Sequence, residues 1–302
     1  MKIFLLTAAA VLLLILLFMQ ELYRYIFCSK SSRLFEFLFD GKGHEDEYYV
    51  YRKERLDRLL ALPSEQVAIT AGDGVPLRGF YYDNGAGGRK IAFIVHGYRS
   101  DHADTASIPF EYYRSRGIDV FACDHRAAGR SGGHFVGFDV LEAPDCLQWI
   151  DFLKKTFGED IQIILHGFSM GAATVMQMSS RCPENVKFIV EDSGYRNAKA
   201  ALSHQVGPMY GPLRRINLWI AGYDWEDSDV TGSLDKSRIP MLFFHGKEDK
   251  LVPFESGPYL YEHYQGPKDC LFPEKARHIE CFYTNPEDCA GKLDSFLERY
   301  IK

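Results

Sequence analysis

The sequence predicts an α/β protein built on a mainly parallel eight-stranded sheet, with helices on both faces of the sheet. From Val67 onward, short apolar runs with strand character alternate with helical patterns of about 10 to 15 residues. A helical crossover between two strands is the usual connection in a parallel sheet. The composition fits one such domain, since 46% of the 302 residues are hydrophobic and 25% are charged.

The elements follow from the chain in order. The first two strands flank the turn Ala71-Gly72-Asp73-Gly74 and form a predicted hairpin at one edge of the sheet. The predicted strands cover residues 67–70, 77–82, 91–95, 118–123, 161–165, 187–190, 241–244 and 270–272. The predicted helices cover residues 103–116, 141–157, the segment after Ser169, 254–264 and 286–301. Between residues 195 and 237 the alternation stops, and we expect a small, mostly helical cap insert over the strand ends.

The amino-terminal segment is strongly apolar. Residues 3–19 carry no charge, and Thr7 is their only polar residue. This predicts an uncleaved transmembrane anchor over residues 1–19, with a cleaved signal peptide as the alternative, and leaves the membrane side of the body undecided. Residues 20–62 are then a juxtamembrane linker and surface helix, in which Phe35, Phe37 and Phe39 either touch the lipid interface or pack on the domain. The α/β domain follows at residues 63–302.

Charge and cysteine usage exclude several classes of function. The net charge is −6, from 35 basic and 41 acidic residues, and no long basic run occurs, so nucleic acid is not an expected partner. The seven cysteines are odd in number, widely spaced and free of CxxC patterns, which predicts buried thiols rather than a zinc site or a disulfide framework. Without a glycine-rich phosphate loop or metal-ligand spacing, no cofactor and no metal are expected.

The segment Gly167-Phe168-Ser169-Met170-Gly171 is the most informative motif in the chain. It follows an apolar strand and precedes a helical pattern, which is the strand–turn–helix context of a nucleophile elbow. Glycine suits both ends of the motif, because a side chain there would clash with neighbouring backbone. The pattern predicts that Ser169 is raised above the sheet at the amino terminus of a helix.

Three further strand ends carry distinctive residues. Sites in open α/β sheets form at the carboxyl ends of the strands. His96-Gly97-Tyr98 follows the strand ending at Val95, Asp249 follows the strand ending at Phe244, and His278 follows the last strand. The chain order of nucleophile, acid and histidine therefore favours a catalytic triad of Ser169, Asp249 and His278, with Asp192 as an alternative acid.

On these motifs the chain resembles bacterial α/β-hydrolases near the serine-aminopeptidase and prolyl-oligopeptidase branches, and especially their membrane-anchored members of unassigned substrate. The resemblance runs from residue 67 to the carboxyl terminus. It rests on residues 96–97, 124–131, 167–171, 221–224, 245–253 and 276–278. One departure is Arg277, where the family has a small residue before the histidine.

The resemblance implies a role for each site residue. Ser169 is the nucleophile, His278 the general base and acid, and Asp249 the residue that orients His278. The backbone N–H groups of Tyr98 and Met170 form the oxyanion hole. We also expect His96 to fix the loop of that hole, and Asp124 and Arg126 to tie a turn together through a charge-assisted bond.

The expected function is that of a serine hydrolase that cleaves a carboxylic ester, or a related acyl bond, of a small molecule through an acyl-enzyme. Three alternatives stay open. An aminopeptidase-like enzyme acting on short peptides would need an anionic pocket, for which Glu191, Asp224 and Glu226 are candidates. A thioesterase or acyltransferase would act on lipid-derived substrates, and a membrane-tethered scaffold would need no chemistry. The cap aromatics Trp219, Tyr223 and Trp225 are candidates for the pocket lining.

Overall fold

Eight strands form a single sheet in the computed structural model, which describes residues 2–28 and 46–302. The strands are β1 Glu65–Thr70, β2 Pro76–Tyr82, β3 Lys90–Val95, β4 Asp119–Asp124, β5 Gln162–Phe168, β6 Val186–Asp192, β7 Met241–Phe244 and β8 Lys268–Leu271. Their order across the sheet is β1-β2-β4-β3-β5-β6-β7-β8. Strand β2 is antiparallel to β1 and β4, and all other neighbours are parallel. The predicted fold class is confirmed.

Helices cover both faces of the sheet. They are α1 Lys2–Phe27, α2 Glu47–Leu60, α3 His102–Ala106, α4 Phe110–Arg114, α5 Glu142–Phe157, α6 Met170–Met178, α7 Ala198–Val206, α8 Tyr210–Ile220, α9 Thr231–Leu234, α10 Ser256–His263, α11 Cys281–Thr284 and α12 Pro286–Tyr300. Side chains of β3 alternate between two cores: Ile91 and Phe93 join the core that contains α5 and α6, while Ala92 and Ile94 join the core that contains α4 and α12. Every residue of β3 after Lys90 is buried, as expected of a central parallel strand.

The predicted single helix over residues 103–116 is wrong. The chain forms two short helices, α3 and α4, which are separated by Ser107-Ile108-Pro109. Pro109 has no backbone N–H to continue the helical ladder, and its ring disfavours the helical conformation of the residue before it.

Helix α1 extends beyond the apolar run and docks on the α/β domain. It continues to Phe27, whereas the sequence predicted a linker from residue 20. Tyr23, Ile26 and Phe27 are buried, and the Phe27 ring stacks on Trp225 with 4.0 Å between ring centroids. Among the described residues, no helix combines the length and the hydropathy required to traverse a bilayer, so the transmembrane anchor predicted over residues 1–19 is not supported. Phe35, Phe37 and Phe39 lie outside the described residues.

The insert between β6 and β7 is mostly helical and lies over the strand ends. It contains α7, α8, α9 and a short 3-10 turn at Trp225–Ser228. Trp225 is fully buried beneath Phe27, whereas Trp219 is 87% exposed. This segment therefore packs against α1 as well as against the sheet.

Candidate active site

Ser169 lies at a sharp turn between β5 and α6. Its backbone has φ 54° and ψ −116°, a left-handed conformation that costs energy for a residue with a side chain. The turn is held by the Ser169 N–H, which donates to the Asp192 carbonyl at 2.8 Å. A Cβ on Gly171 would lie 2.0 Å from the Val95 carbonyl oxygen, so only glycine lets α6 approach β3 this closely. The strand–turn–helix predicted around Ser169 is present.

The loop after β3 lies directly against the serine. A Cβ on Gly97 would be 3.2 Å from the Ser169 Cβ and 3.8 Å from its Oγ. His96 fixes this loop from beneath: its Nε2 accepts the His125 N–H at 2.8 Å, so its Nδ1–H donates to the Gly97 carbonyl at 2.7 Å. Burial lowers the pKa of His96, which keeps the ring in this neutral form. The His96 ring therefore positions the backbone segment that contains Tyr98.

Asp249 and His278 are hydrogen-bonded to each other. The His278 Nδ1–H donates to Asp249 Oδ2 at 2.6 Å. The other oxygen of Asp249 accepts the backbone N–H groups of Leu251 and Val252, both at 2.9 Å. This pairing fixes the tautomer of His278 and leaves its Nε2 as an acceptor. The structure thus brings the predicted acid and histidine together.

A second histidine contacts the same carboxylate. His245 is fully buried, and its Nε2 lies 3.0 Å from the Val252 carbonyl and 3.4 Å from Asp249 Oδ2. Burial alone would raise the pKa of Asp249, but the hydrogen bonds from His245 and His278 outweigh it and hold that pKa well below its ordinary value. Asp249 is therefore an anion at neutral pH. In the sequence His245 is only one residue of the motif at residues 245–253, because its contact with Asp249 depends on the turn that follows β7.

The loop that carries His278 is fixed on both sides of the histidine. Ile279 has φ 55°, and its N–H donates to Ser193 Oγ at 3.1 Å. Arg277 binds Glu280 and also Asp46, which precedes α2, through a 2.7 Å contact. The unusual residue beside the histidine therefore ties this loop to the helix before the domain.

Asp192, the alternative acid, does not pair with His278. It is fully buried and accepts the Ser193 hydroxyl at 2.8 Å, and burial raises its pKa to about 7. The neighbouring Glu191 is also fully buried, accepts the Gly194 N–H at 2.9 Å and has a pKa raised by burial to about 8. Both carboxyls are structural parts of the sheet end behind the serine.

Ser169 and His278 line one cavity of about 370 Å³. Gly97, Tyr98 and Met170 belong to the same wall, so the two residues predicted to form the oxyanion hole border the serine. Part of the lining is apolar: Phe138, Phe168, Ala201, Leu202, Leu251 and Val252. A second cavity of about 520 Å³ shares the Gly97–Ser100 loop and Met170.

The hydrogen-bond partners of Asp124 and Arg126 differ from the prediction. Arg126 binds Asp145 and Asp73, whereas Asp124 accepts bonds from His102 and the Arg130 N–H, so the predicted bond between Asp124 and Arg126 is wrong. Each residue stabilises its own part of the turn after β4.

The cap contributes different side chains from those expected. Tyr195, Ala201 and Leu202 line the cavity, whereas Trp219, Tyr223 and Trp225 are not part of its lining. Trp225 instead stacks on Phe27. The hydrophobic spacing of α7 is weak, so its place in the cavity wall could not be predicted from the sequence.

One group of potential metal ligands occurs within residues 2–28 and 46–302. Cys123, His125 and Cys146 are buried, and their ligand atoms lie within 4.8 Å of one another. This cluster could not be predicted from the sequence, because Cys146 lies in α5, remote along the chain from the other two residues. A hydrogen bond with Cys123 and burial raise the pKa of the Cys146 thiol well above its usual range, which disfavours the thiolate that a metal requires.

Comparisons with known proteins agree with this architecture. A family model described as serine aminopeptidase, S33, matches residues 87–221. The Bacillus subtilis protein YqkD is 27% identical over 60% of the chain, and the alignment spans 63% of YqkD, less than two thirds of its length. The bifunctional esterase/perhydrolase DCH of Acinetobacter calcoaceticus is 26% identical over 62% of the chain and 83% of its own length. The Pyrococcus furiosus esterase Pf2001 superimposes with a TM-score of 0.67 at 24% identity, covering 80% of this chain and 95% of that one. The chain therefore has the α/β-hydrolase fold and is similar to proteins of that superfamily.

Replacing Gly171 with alanine should destabilise the fold by about 3 kcal/mol or more, because the new Cβ meets backbone that cannot move aside. Gly211→Ala in α8 is the matched control, since no heavy atom lies within 4 Å of its added Cβ, and it should change stability by about 1 kcal/mol or less. Urea unfolding of both variants measures the difference. Equal midpoints would contradict the close approach of α6 to β3.

Glu191→Gln should change how stability depends on pH. Because the folded-state pKa of Glu191 is raised to about 8, its contribution is complete below its unfolded pKa of about 4.3 and is lost as the pH rises through about 8. The variant should therefore gain stability relative to wild type between pH 5 and pH 8. Denaturant unfolding at both pH values checks this, with the exposed Glu184→Gln as control. A Glu191→Gln advantage that is the same at both pH values would contradict the assignment.

Proposed function

We propose that the protein is a serine hydrolase that cleaves carboxylic esters through an acyl-enzyme. The observation that carries the proposal is the 2.6 Å bond between His278 and Asp249 beside a cavity that Ser169 also lines. A buried carboxylate bonded to the imidazole, and a serine with a strained backbone in the same cavity, are the elements that activate a hydroxyl. The similar proteins Pf2001, an esterase, and DCH, an esterase/perhydrolase, support the same class of reaction.

In the proposed reaction, Ser169 Oγ attacks the ester carbonyl carbon while His278 Nε2 accepts the hydroxyl proton. The negative charge that develops on the carbonyl oxygen is bound by the N–H groups of Tyr98 and Met170, and α6 adds its positive amino-terminal dipole. Collapse breaks the bond to the alcohol, which leaves with the proton from His278. Water, deprotonated by His278, then attacks the acyl-enzyme and releases the carboxylic acid.

Ester cleavage is favoured over aminopeptidase activity by the partners of the three candidate carboxylates. Asp224 and Glu226 both bind Arg214, with 2.6 Å and 3.0 Å contacts. Glu191 is fully buried and bonds to Gly194. These three carboxylates therefore already have partners and are not available to bind the amino group of a peptide. The apolar cavity wall, in contrast, suits an acyl chain.

The test of the reaction compares Ser169→Ala with wild type on p-nitrophenyl esters of increasing chain length and on aminoacyl-naphthylamides. Ester turnover should fall by about 10⁴-fold or more in the variant. Ser179→Ala is the matched control, because its buried hydroxyl has no hydrogen-bond partner among the described residues, and it should keep wild-type turnover. Turnover that survives Ser169→Ala would overturn the proposal, and amide turnover that exceeds ester turnover would favour the peptidase.

We also propose that α1 holds the protein at a lipid surface. Val11 and every residue from Leu13 to Phe18 expose between 49% and 66% of their surface. At 100° per residue these positions face every direction around the helix, so a single protein groove would leave part of them in water. No charge occurs between residues 3 and 19. Apolar side chains on all sides of a helix are suited to hydrocarbon.

The lipid contact is tested by flotation of the full-length protein with phosphatidylcholine and phosphatidylglycerol vesicles. Wild type should float, and a variant with Leu13, Leu14 and Leu17 changed to glutamine should stay in the soluble fraction. The control variant carries the same change to glutamine at Leu218, Trp219 and Ile220 of α8, which are also exposed. It should float like wild type. Loss of flotation only in the control would assign the contact to the cap and contradict the role of α1.

A further inference from the structure

The carboxyl-terminal end of α1 is attached to the loop that carries the proposed oxyanion hole. The Tyr98 hydroxyl donates to the Ile26 carbonyl at 2.7 Å. The neighbouring Arg99 donates to the Tyr25 carbonyl at 2.8 Å, and its guanidinium carbon lies 3.8 Å from the centroid of the Tyr25 ring. Residues 98 and 99 thus bind two consecutive residues of the helix.

These contacts satisfy groups that a helix end leaves open. The last carbonyls of a helix have no intrahelical partner, and the negative end of its dipole favours a cation. Tyr98 and Arg99 supply a donor for each of two such carbonyls, and the Val136 N–H donates to a third, that of Phe27, at 2.9 Å. Helix α1 therefore ends on the catalytic domain, and donors of that domain satisfy its carbonyls.

Apolar packing and a buried hydrogen bond keep this end of α1 in place. Phe27 stacks on Trp225 of the cap, and the Tyr23 hydroxyl donates to the buried Asn217 Oδ1 at 2.9 Å. Cys28 forms an antiparallel bridge with Phe135. The docked segment thus contacts both the cap and the loop before α5.

The loop after β3 requires stabilising contacts on the side that faces α1. Arg99 has φ 57°, a strained conformation that persists only where the surroundings hold it. From the interior, His96 fixes Gly97 through its carbonyl. On the outer side, the Tyr25 and Ile26 carbonyls hold the next two residues. Since misplacing a catalytic group by about 1 Å can cost about 10²-fold in rate, the outer contacts bear directly on catalysis.

We propose that residues 23–28 of α1 are a positioning element of the active site, which holds Tyr98 and Arg99 so that the Tyr98 N–H meets the oxyanion. The inference rests on the proposed esterase function. Residues 25 and 26 also border the cavities, but they act on the reaction through the loop. Full turnover then requires the docking of α1, in addition to the role of α1 at the lipid surface.

The test uses full-length Tyr98→Phe, Arg99→Ala and the double variant. Each keeps the backbone N–H of residue 98 and removes a contact with α1. Turnover of a short p-nitrophenyl ester should fall about 10- to 100-fold in kcat for the double variant, with KM changed by less than about threefold, because the oxyanion contact acts in the transition state. Thermal unfolding and circular dichroism identify any variant that does not fold. If the double variant does not fold, Tyr98→Phe alone decides, and its kcat should fall at least about threefold.

The matched control is Tyr112→Phe/Arg116→Ala. Tyr112 donates to Asp294 at 2.8 Å, and the Arg116 guanidinium lies 3.7 Å from the Tyr112 ring, so the same groups are removed away from both cavities. This control should keep wild-type kcat. Wild-type kcat in the Tyr98 and Arg99 variants, or an equal loss in the control, would overturn the positioning role. Failure of the proposed function is distinguishable, since wild type itself would then lack turnover that depends on Ser169.

Discussion

The close contact between α6 and β3 is the constraint on which the site depends. Gly171 lies so near the Val95 and His96 carbonyls that any side chain would separate the helix from the strand. This contact sets the angle of the turn at Ser169 and brings it against Gly97. Ser169 and the loop after β3 are adjacent because two backbones touch, and the parallel pairing of β3 with β5 keeps them in register.

Charge is distributed unequally around the serine. Asp249 is buried but accepts two backbone N–H groups and the His278 N–H, with His245 Nε2 3.4 Å from its carboxylate, so it is ionised. Glu191 and Asp192 are equally buried but have fewer donors, and their raised pKa values favour the neutral form. One anion beside His278 suffices to orient and stabilise an imidazolium. The other two carboxyls support the strand end and carry less charge at neutral pH than exposed carboxyls do.

Much of this fold could be predicted from the sequence. Buried parallel strands and their helices have strong local patterns, and the elbow has its own motif, so the sheet and the position of Ser169 followed from residues close together in the chain. The proximity of Asp249 and His278 followed from the rule that sites form at strand ends. Pro109, which divides α3 from α4, is the local signal that separates the two helices.

The remaining features depend on contacts between distant residues. The docking of α1 requires Tyr98, Arg99 and Val136 to meet the end of a helix some 70 or more residues earlier, and no local pattern encodes that meeting. Likewise, Arg126 binds Asp73 and Asp145 and not the nearby Asp124, because the turn after β4 directs the side chains of residues 124 and 126 apart. The composition of the amino-terminal segment indicated an apolar helix but gave no indication that its end forms part of the cavity wall.

The most direct measurement of the central claim is mass spectrometry of the protein quenched during turnover of a slowly hydrolysed ester. The account predicts an added acyl mass on the peptide that contains Ser169, which decays as the free acid accumulates. An acyl group on another residue, or turnover without any covalent intermediate when the quench is faster than deacylation, would contradict the account.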